Sequence, residues 1–235
     1  MLADRKLVGS WSGDIYVDGR PRTPDFRLRT AYVLQDDVHI PTLTVEESVY
    51  YACWSRCVNI KTREQIQERV DHLLKMMGID HVRKSIIGDP MRKGISGGQL
   101  KRLSIAVELV TLPDVIFLDE PTSGLDSSIA LEVMSAVQEI TGKGKLCIST
   151  IHQPSPEVFG LFDRVVLMVS GRLIFAGATS DAVSYFTRPQ LGYKYTQGTN
   201  PAEFIIAVGG GSQLPEGSVV PRYFLRFSCG LHLFL

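Results

Sequence analysis

Apolar and polar positions recur along this chain with two different periods, and the changes between them place most of its elements. Ser12 to Arg20 alternates polar and apolar residues and reaches Asp18-Gly19, which predicts a strand running into a hairpin or loop. Ala31-Tyr32-Val33-Leu34 reads as a more buried strand that delivers Gln35 at its end. Thr44 followed three residues later by Glu47 has capping-box spacing and predicts a helix to about Trp54. Thr62 and Gln65 repeat the device, and Ile66, Val70, Leu73, Leu74 and Met77 then keep helical spacing until Gly78 supplies a stop. A further helix from Ser96 to about Val110 carries Leu100, Leu103, Val107 and Val110 on one face.

Val115 to Leu118 and Leu146 to Ile151 are apolar on both alternating faces, which indicates strands of a parallel sheet covered by helices on both sides. Ile129 to Ile140 is the intervening helix. Val165 to Met168, a Ser170-Gly171-Arg172 turn and Leu173 to Gly177 read as a hairpin closing the sheet edge, followed by a short helix at Ala182 to Phe186. Beyond Asn200-Pro201-Ala202-Glu203-Phe204 and Gly209-Gly210-Gly211 no regular period remains, so residues 212–235 are set apart as a tail outside the domain. The pattern as a whole is that of an α/β fold.

Composition narrows the function classes. At 235 residues and 44% hydrophobic the chain is long and apolar enough to bury a core as one large domain, with or without a subdomain. Its formal net charge of zero supplies no long-range attraction to nucleic acid, and no local basic patch argues for that partner. No run is long and apolar enough to span a membrane, because Pro221, Arg222, Arg226 and His232 interrupt the C-terminal stretch. The N-terminus lacks the order of a signal peptide, and four cysteines without framework spacing fit a reducing compartment such as the cytosol. Cys53 and Cys57 share a helix face, but no histidine or third cysteine completes a metal-ligand spacing, and they read as reduced thiols.

The candidate chemistry lies where strands end and helices begin. Asp119 and Glu120 follow a buried strand, the usual position for ligands in an open α/β sheet. In that position Asp119 is suited to hold Mg2+, and Glu120 to orient and polarise a water attacking a γ-phosphate in line. Ser96-Gly97-Gly98 at a helix start offers a hydroxyl, unobstructed amides and the positive end of the macrodipole to an anion of phosphate type. Gln35, at a strand exit, is placed to touch the metal or the water, and His152, after the next buried strand, to contact the γ-phosphate. No Gly-x-x-x-x-Gly-Lys-[Ser/Thr] loop occurs; Gly142-Lys143-Gly144-Lys145 has the wrong spacing and is followed by Leu146 where a hydroxyl is needed.

The order Gln35, Ser96-Gly97-Gly98-Gln99, Val115 to Glu120, Ser123-Gly124-Leu125-Asp126, His152 resembles the ATP-binding cassette of ABC transporters. Gly94-Ile95-Ser96-Gly97-Gly98, His152-Gln153-Pro154-Ser155 with Phe162-Asp163, and Asn200 to Phe204 are similar to the G, or White, subfamily of exporters. The resemblance covers about residues 1–208. It implies a P-loop NTPase-like, RecA-like α/β fold with a mostly parallel sheet flanked by helices and an inserted helical subdomain at about residues 42–95. Residues 1–211 would then form a partial nucleotide-binding domain, with the signature helix starting at residue 96. The cofactors implied are ATP and Mg2+, the latter held by Asp119 and Gln35. The resemblance makes Glu120, His152 and Gln35 catalytic, and Ser96, Gly97, Gly98, Gln99 and Asp126 nucleotide-binding. It also implies a second cassette as partner and a transmembrane domain, normally on the same chain, at the cytosolic face of a membrane. Against that pattern the phosphate loop and the membrane half are expected outside the sequence, so that Met1-Leu2-Ala3 falls within a helix and the chain reads as truncated. DNA-maintenance ATPases share these motifs, but their long coiled-coil insertions separate positions that stand close together here.

Overall fold

The computed structural model describes Ala3 and residues 12–60, 62–89, 91–142, 144–169, 171–213 and 229–234. Met1-Leu2, Lys143, Ser170 and residues 214–228, each part of a sequence-based expectation, lie outside the described residues. The chain packs as two units, Met1–Leu118 with Gly142–Leu146, and Asp119–Thr141 with Cys147–Leu235.

In the first unit, β1 (Tyr16–Val17) and β2 (Arg20–Pro21) pair antiparallel around Asp18-Gly19. Both turn residues have positive φ, as a two-residue hairpin of this hand requires. β3 (Thr30–Val33) runs parallel to β4 (Val115–Asp119) in the register Thr30 to Val115 through Val33 to Leu118. Strand β3 therefore stops one residue earlier than its apolar run, because Leu34 is exposed and leads into the Gln35 loop. Three helices pack together beside it: α1 (Val45–Arg56), α2 (Arg63–Met76) and α3 (Gly97–Glu108). Each begins with the full reciprocal capping box, Thr44 with Glu47, Thr62 with Gln65 and Ser96 with Gln99, so both ends of each device satisfy an otherwise orphan donor. All five apolar residues expected on α2 are buried. Helix α3 differs from its expected single stripe: Leu103 and Val110 are buried, Leu100 and Val107 only half-buried, and Ile105, Ala106 and Lys101 join the buried set. The helix is enclosed on more than one side, which a one-face reading cannot anticipate.

An ion-pair network closes this helical region. Arg83 donates to Glu46 Oε1 at 2.7 Å, to Asp71 at 2.6 Å and to Asp80 at 3.0 Å, and Glu46 also accepts from Lys84 and Gln67. The Arg83 hydrogen bond, foremost, holds the Glu46 carboxyl down to about 2, below its usual 4.5. A depressed folded-state pKa means that the unfolded chain takes up the proton first, so the stabilisation is complete above pH 4.5 and disappears as the pH falls through 2. Urea midpoints of the wild type should therefore drop between pH 5 and 2, and Glu46→Gln should lower the midpoint at pH 7 while flattening that acid-side slope; parallel slopes would contradict the assignment.

The second unit contains β5 (Leu146–Thr150, of which Leu146 belongs to the first unit), β6 (Arg164–Val169) and β7 (Arg172–Ala178), with α4 (Ser127–Thr141), α5 (Pro156–Gly160), α6 (Ala182–Phe186) and α7 (Pro201–Gly209). β6 and β7 form the expected antiparallel hairpin, with a register irregularity at Leu167/Met168. Strand β8 (Cys229–Phe234) pairs antiparallel with both β5 and β6. These six residues lie in the span that the sequence sets apart as a tail; ladders on both sides occupy the edge groups of β5 and β6 that would otherwise lack partners. Helix α7 is not among the elements expected from the sequence, although its boundary signals are present: Asn200 caps it through Ala202 N, Pro201 takes the first helical position and glycines follow its end.

Candidate functional site

β4 carries four buried residues, Val115 to Leu118, and then releases Asp119, half-buried, at its tip. Glu120 follows at φ +45°, a left-handed conformation uncommon for a residue with a side chain and disfavoured further by Pro121. Such strain persists only where surrounding bonds fix it. Here Glu120 N–H donates to Thr150 Oγ1 at 2.9 Å, and Thr150 in turn donates to Asp119 Oδ1 at 2.8 Å. One strand hydroxyl thus sets the backbone of one carboxylate and the side chain of the other. Thr150 is not among the candidate residues of the sequence; a second hydroxyl, after Ser149, at the end of a strand is the available signal.

Glu120 and His152 line one cleft of about 680 Å3 together with Ser123, Gly124, Asn200 and Glu203. His152 is exposed, and the residue after it, Gln153, repeats the left-handed, pre-proline geometry of Glu120 at φ +46°. Asn200 Nδ2 donates to Pro154 O at 2.8 Å, so the cap of α7 also steadies the His152 loop. Asp126 is occupied differently: its carboxylate accepts from Ile129 N at 2.9 Å and caps α4.

Gln35 and Ser96 to Gln99 belong to the first unit. Gln35 is exposed just past β3. The Ser96 hydroxyl accepts from Gln99 N at 3.3 Å while Gln99 Oε1 accepts from Ser96 N at 2.9 Å, and both Ser96 and Gly97 are exposed at the start of the twelve-residue helix α3. The approach to this helix is fixed by backbone packing of two glycines. A Cβ on Gly94 would lie 1.9 Å from Ile87 O, and one on Gly88, at φ +80°, 2.6 Å from the Gly94 Cα.

Among the described residues no group of three or more His, Cys, Asp or Glu converges as a metal cage. The donors at the strand tip are nevertheless hard oxygens, with Asp119 oriented by Thr150, and such a carboxylate matches the way Mg2+ is usually held, by one or two carboxylates plus substrate phosphates. The cleft places a carboxylate and an imidazole on one space, an arrangement able to orient a water and an anionic substrate group.

Residues 6–123, about half of the chain, match the family described as ABC transporter. The chain is 40% identical over 211 residues to the broad substrate specificity ATP-binding cassette transporter ABCG2 of Sus scrofa, covering 90% of this chain and 32% of that protein. It is 37% identical over 206 residues to ABC transporter G family member 14 of Arabidopsis thaliana, covering 88% of this chain and 32% of that protein. The chain therefore spans about a third of the length of these curated relatives. Among solved structures it is similar to an ATP-binding cassette in a dimeric, post-hydrolysis state bound to ADP and Pi, with a TM-score of 0.57 and 24% identity, covering 72% of this chain and 74% of that one. That likeness establishes the α/β fold of P-loop NTPases, with a sheet flanked by helices. The curated relatives quoted are of the G type, and the chain belongs to the ABC transporter family.

Proposed function

We propose that this chain is the ATP-binding and ATP-hydrolysing cassette of a G-type exporter, and that it works in a pair with a second cassette at the cytosolic face of a membrane. The observation that carries this reading is the strand tip at which Thr150 bonds both Asp119 and Glu120, beside a cleft shared by Glu120 and His152. In this reading Glu120 orients and polarises the attacking water, His152 and Gln35 face the γ-phosphate and the water, and Asp119 with Gln35 holds Mg2+. The metal, when bound, neutralises charge developing on the phosphate oxygens. The exposed start of α3, with Ser96 to Gln99, serves the nucleotide of the partner cassette, and Asp126 belongs to the same nucleotide-binding set. Closure of the pair moves the helical region at about 42–95 and so drives transmembrane helices between inward and outward access. The dimeric state of the solved relative supports the paired arrangement. Among the described residues no helix is long and apolar enough to cross a membrane.

A second reading, in which these 235 residues lend only the signature helix to another cassette, is favoured by the exposed Ser96 helix start. Mixing separates the two. Preceded by a phosphate loop, residues 1–235 should hydrolyse ATP, and Ser96→Arg should abolish turnover while leaving nucleotide binding intact. Retained turnover in Ser96→Arg contradicts both readings. Loss of turnover only when the altered chain is the partner of an intact cassette, with no hydrolysis by 1–235 itself, selects the second.

A further inference from the structure

Helix α3 and the Gln35 loop are joined by a lysine that no part of the proposed chemistry uses. Lys101 lies one turn into α3 and is 2% exposed, in a position where an unpaired ammonium would be strongly disfavoured. Its Nζ donates to Gln35 O at 2.8 Å, reaches Leu34 O at 3.5 Å and pairs with Asp37 Oδ1 at 2.9 Å. The Asp37 carboxylate is itself mostly covered, 15% exposed. One turn further along the same helix, Ser104 Oγ lies 2.7 Å from His39 Nε2, while Ser48 Oγ on α1 stands 3.5 Å from His39 Nδ1. Residues 34 to 39 are thus tied to α3 at both ends, first by a buried charge and then by a histidine.

The partners decide what the lysine does. Its two carbonyl contacts are to the peptide units on either side of the Gln35 Cα, Leu34–Gln35 and Gln35–Asp36, so it fixes the backbone around Gln35 and with it the direction in which the Gln35 side chain leaves the strand. A carbonyl cannot exchange such a donor for water in a covered site without rearrangement, so the loop and the helix move together or the contact breaks. We infer that Lys101 is a positioning residue that holds the Gln35 loop rigidly to the signature helix, so that a displacement of Ser96 to Gln99 is transmitted to Gln35 within one cassette. The inference rests on the reading of Gln35 as a catalytic contact, but the physical clasp does not.

Two readouts on residues 1–235 preceded by a phosphate loop test it. In Lys101→Met, amide hydrogen exchange of residues 35 to 39 should accelerate by about tenfold or more while the amides of the second half of α3 keep their protection. ATP turnover should fall by about tenfold with the half-saturating ATP concentration nearly unchanged, since the loss is of alignment rather than of binding. The decisive step is the cycle with Gln35→Ala: Lys101→Met should cost almost nothing further once Gln35 is gone. Unchanged exchange at 35 to 39 overturns the clasp, and independent, multiplicative losses in the cycle overturn transmission through Gln35. Should Gln35→Ala by itself leave turnover intact, the catalytic role given to Gln35 fails, and the exchange measurement still decides the clasp. If Lys101→Met does not fold, Lys101→Gln, which retains one donor on a shorter stem, carries the same cycle.

Discussion

Glu120→Gln is expected to reduce ATP turnover by about 100- to 10,000-fold, the range of a lost general base, while nucleotide affinity and the folding transition stay near wild type. The substitution is isosteric and the group is half-buried rather than packed. What holds residue 120 in its left-handed conformation is its backbone bond to Thr150, which the amide side chain does not disturb. Only the capacity to accept a proton from water is removed. The experiment needs residues 1–235 behind a phosphate loop, with single-turnover hydrolysis measured beside nucleotide binding. Turnover within about threefold of wild type would take the catalytic role from Glu120 and leave the strand-tip geometry as architecture alone.

The second large effect is on stability. Gly94→Ala should destabilise the first unit by about 3 kcal/mol or more, beyond ordinary overpacking, because the added methyl meets main chain rather than a side chain that can turn away. The Cβ would stand 1.9 Å from Ile87 O and 2.4 Å from Ile87 C. Ile87 cannot yield freely: its N–H donates to Leu43 O at 2.9 Å, its carbonyl accepts from Ile95 N at 3.2 Å, and neighbouring Gly88 N–H donates to Pro41 O at 2.9 Å. Relief of the clash therefore displaces the segment leading into Ser96, so the cap of α3 should suffer with the fold. Gly160→Ala is the matched control, since a Cβ there meets nothing within 4 Å, and its effect should remain within about 0.5 kcal/mol. Equal urea midpoints for the two variants would refute the packing argument.

What the sequence revealed of this molecule follows a physical division. Local devices were legible: the capping boxes of α1 and α2, the five-residue apolar stripe of α2, the Asp18-Gly19 turn and the β6/β7 hairpin all depend on residues close in the chain. Contacts set by tertiary packing were not. Lys101 lies outside the apolar stripe that the sequence predicts for α3 and proves to be among the most enclosed residues of that helix. Thr150 read as one more strand residue, although its hydroxyl serves both carboxylates. Cys229–Phe234 carried no regular period, and its strand exists through pairing with β5 and β6, which lie far away in the sequence. Of the candidate site, Glu120 and His152 meet in one cleft, whereas the Asp126 carboxylate is engaged in capping its own helix. A motif fixes which residue types are present; the long-range hydrogen bonds decide how each is employed.

The proposed pairing is open to one direct measurement: the molar mass in solution of the Glu120→Gln protein, with a phosphate loop ahead of residue 1, in the presence and absence of MgATP. Blocked hydrolysis should trap the nucleotide between two cassettes, so the account predicts one-chain mass without nucleotide and two-chain mass with it, reverting on addition of Ser96→Arg. One-chain mass under saturating, demonstrably bound MgATP would contradict it.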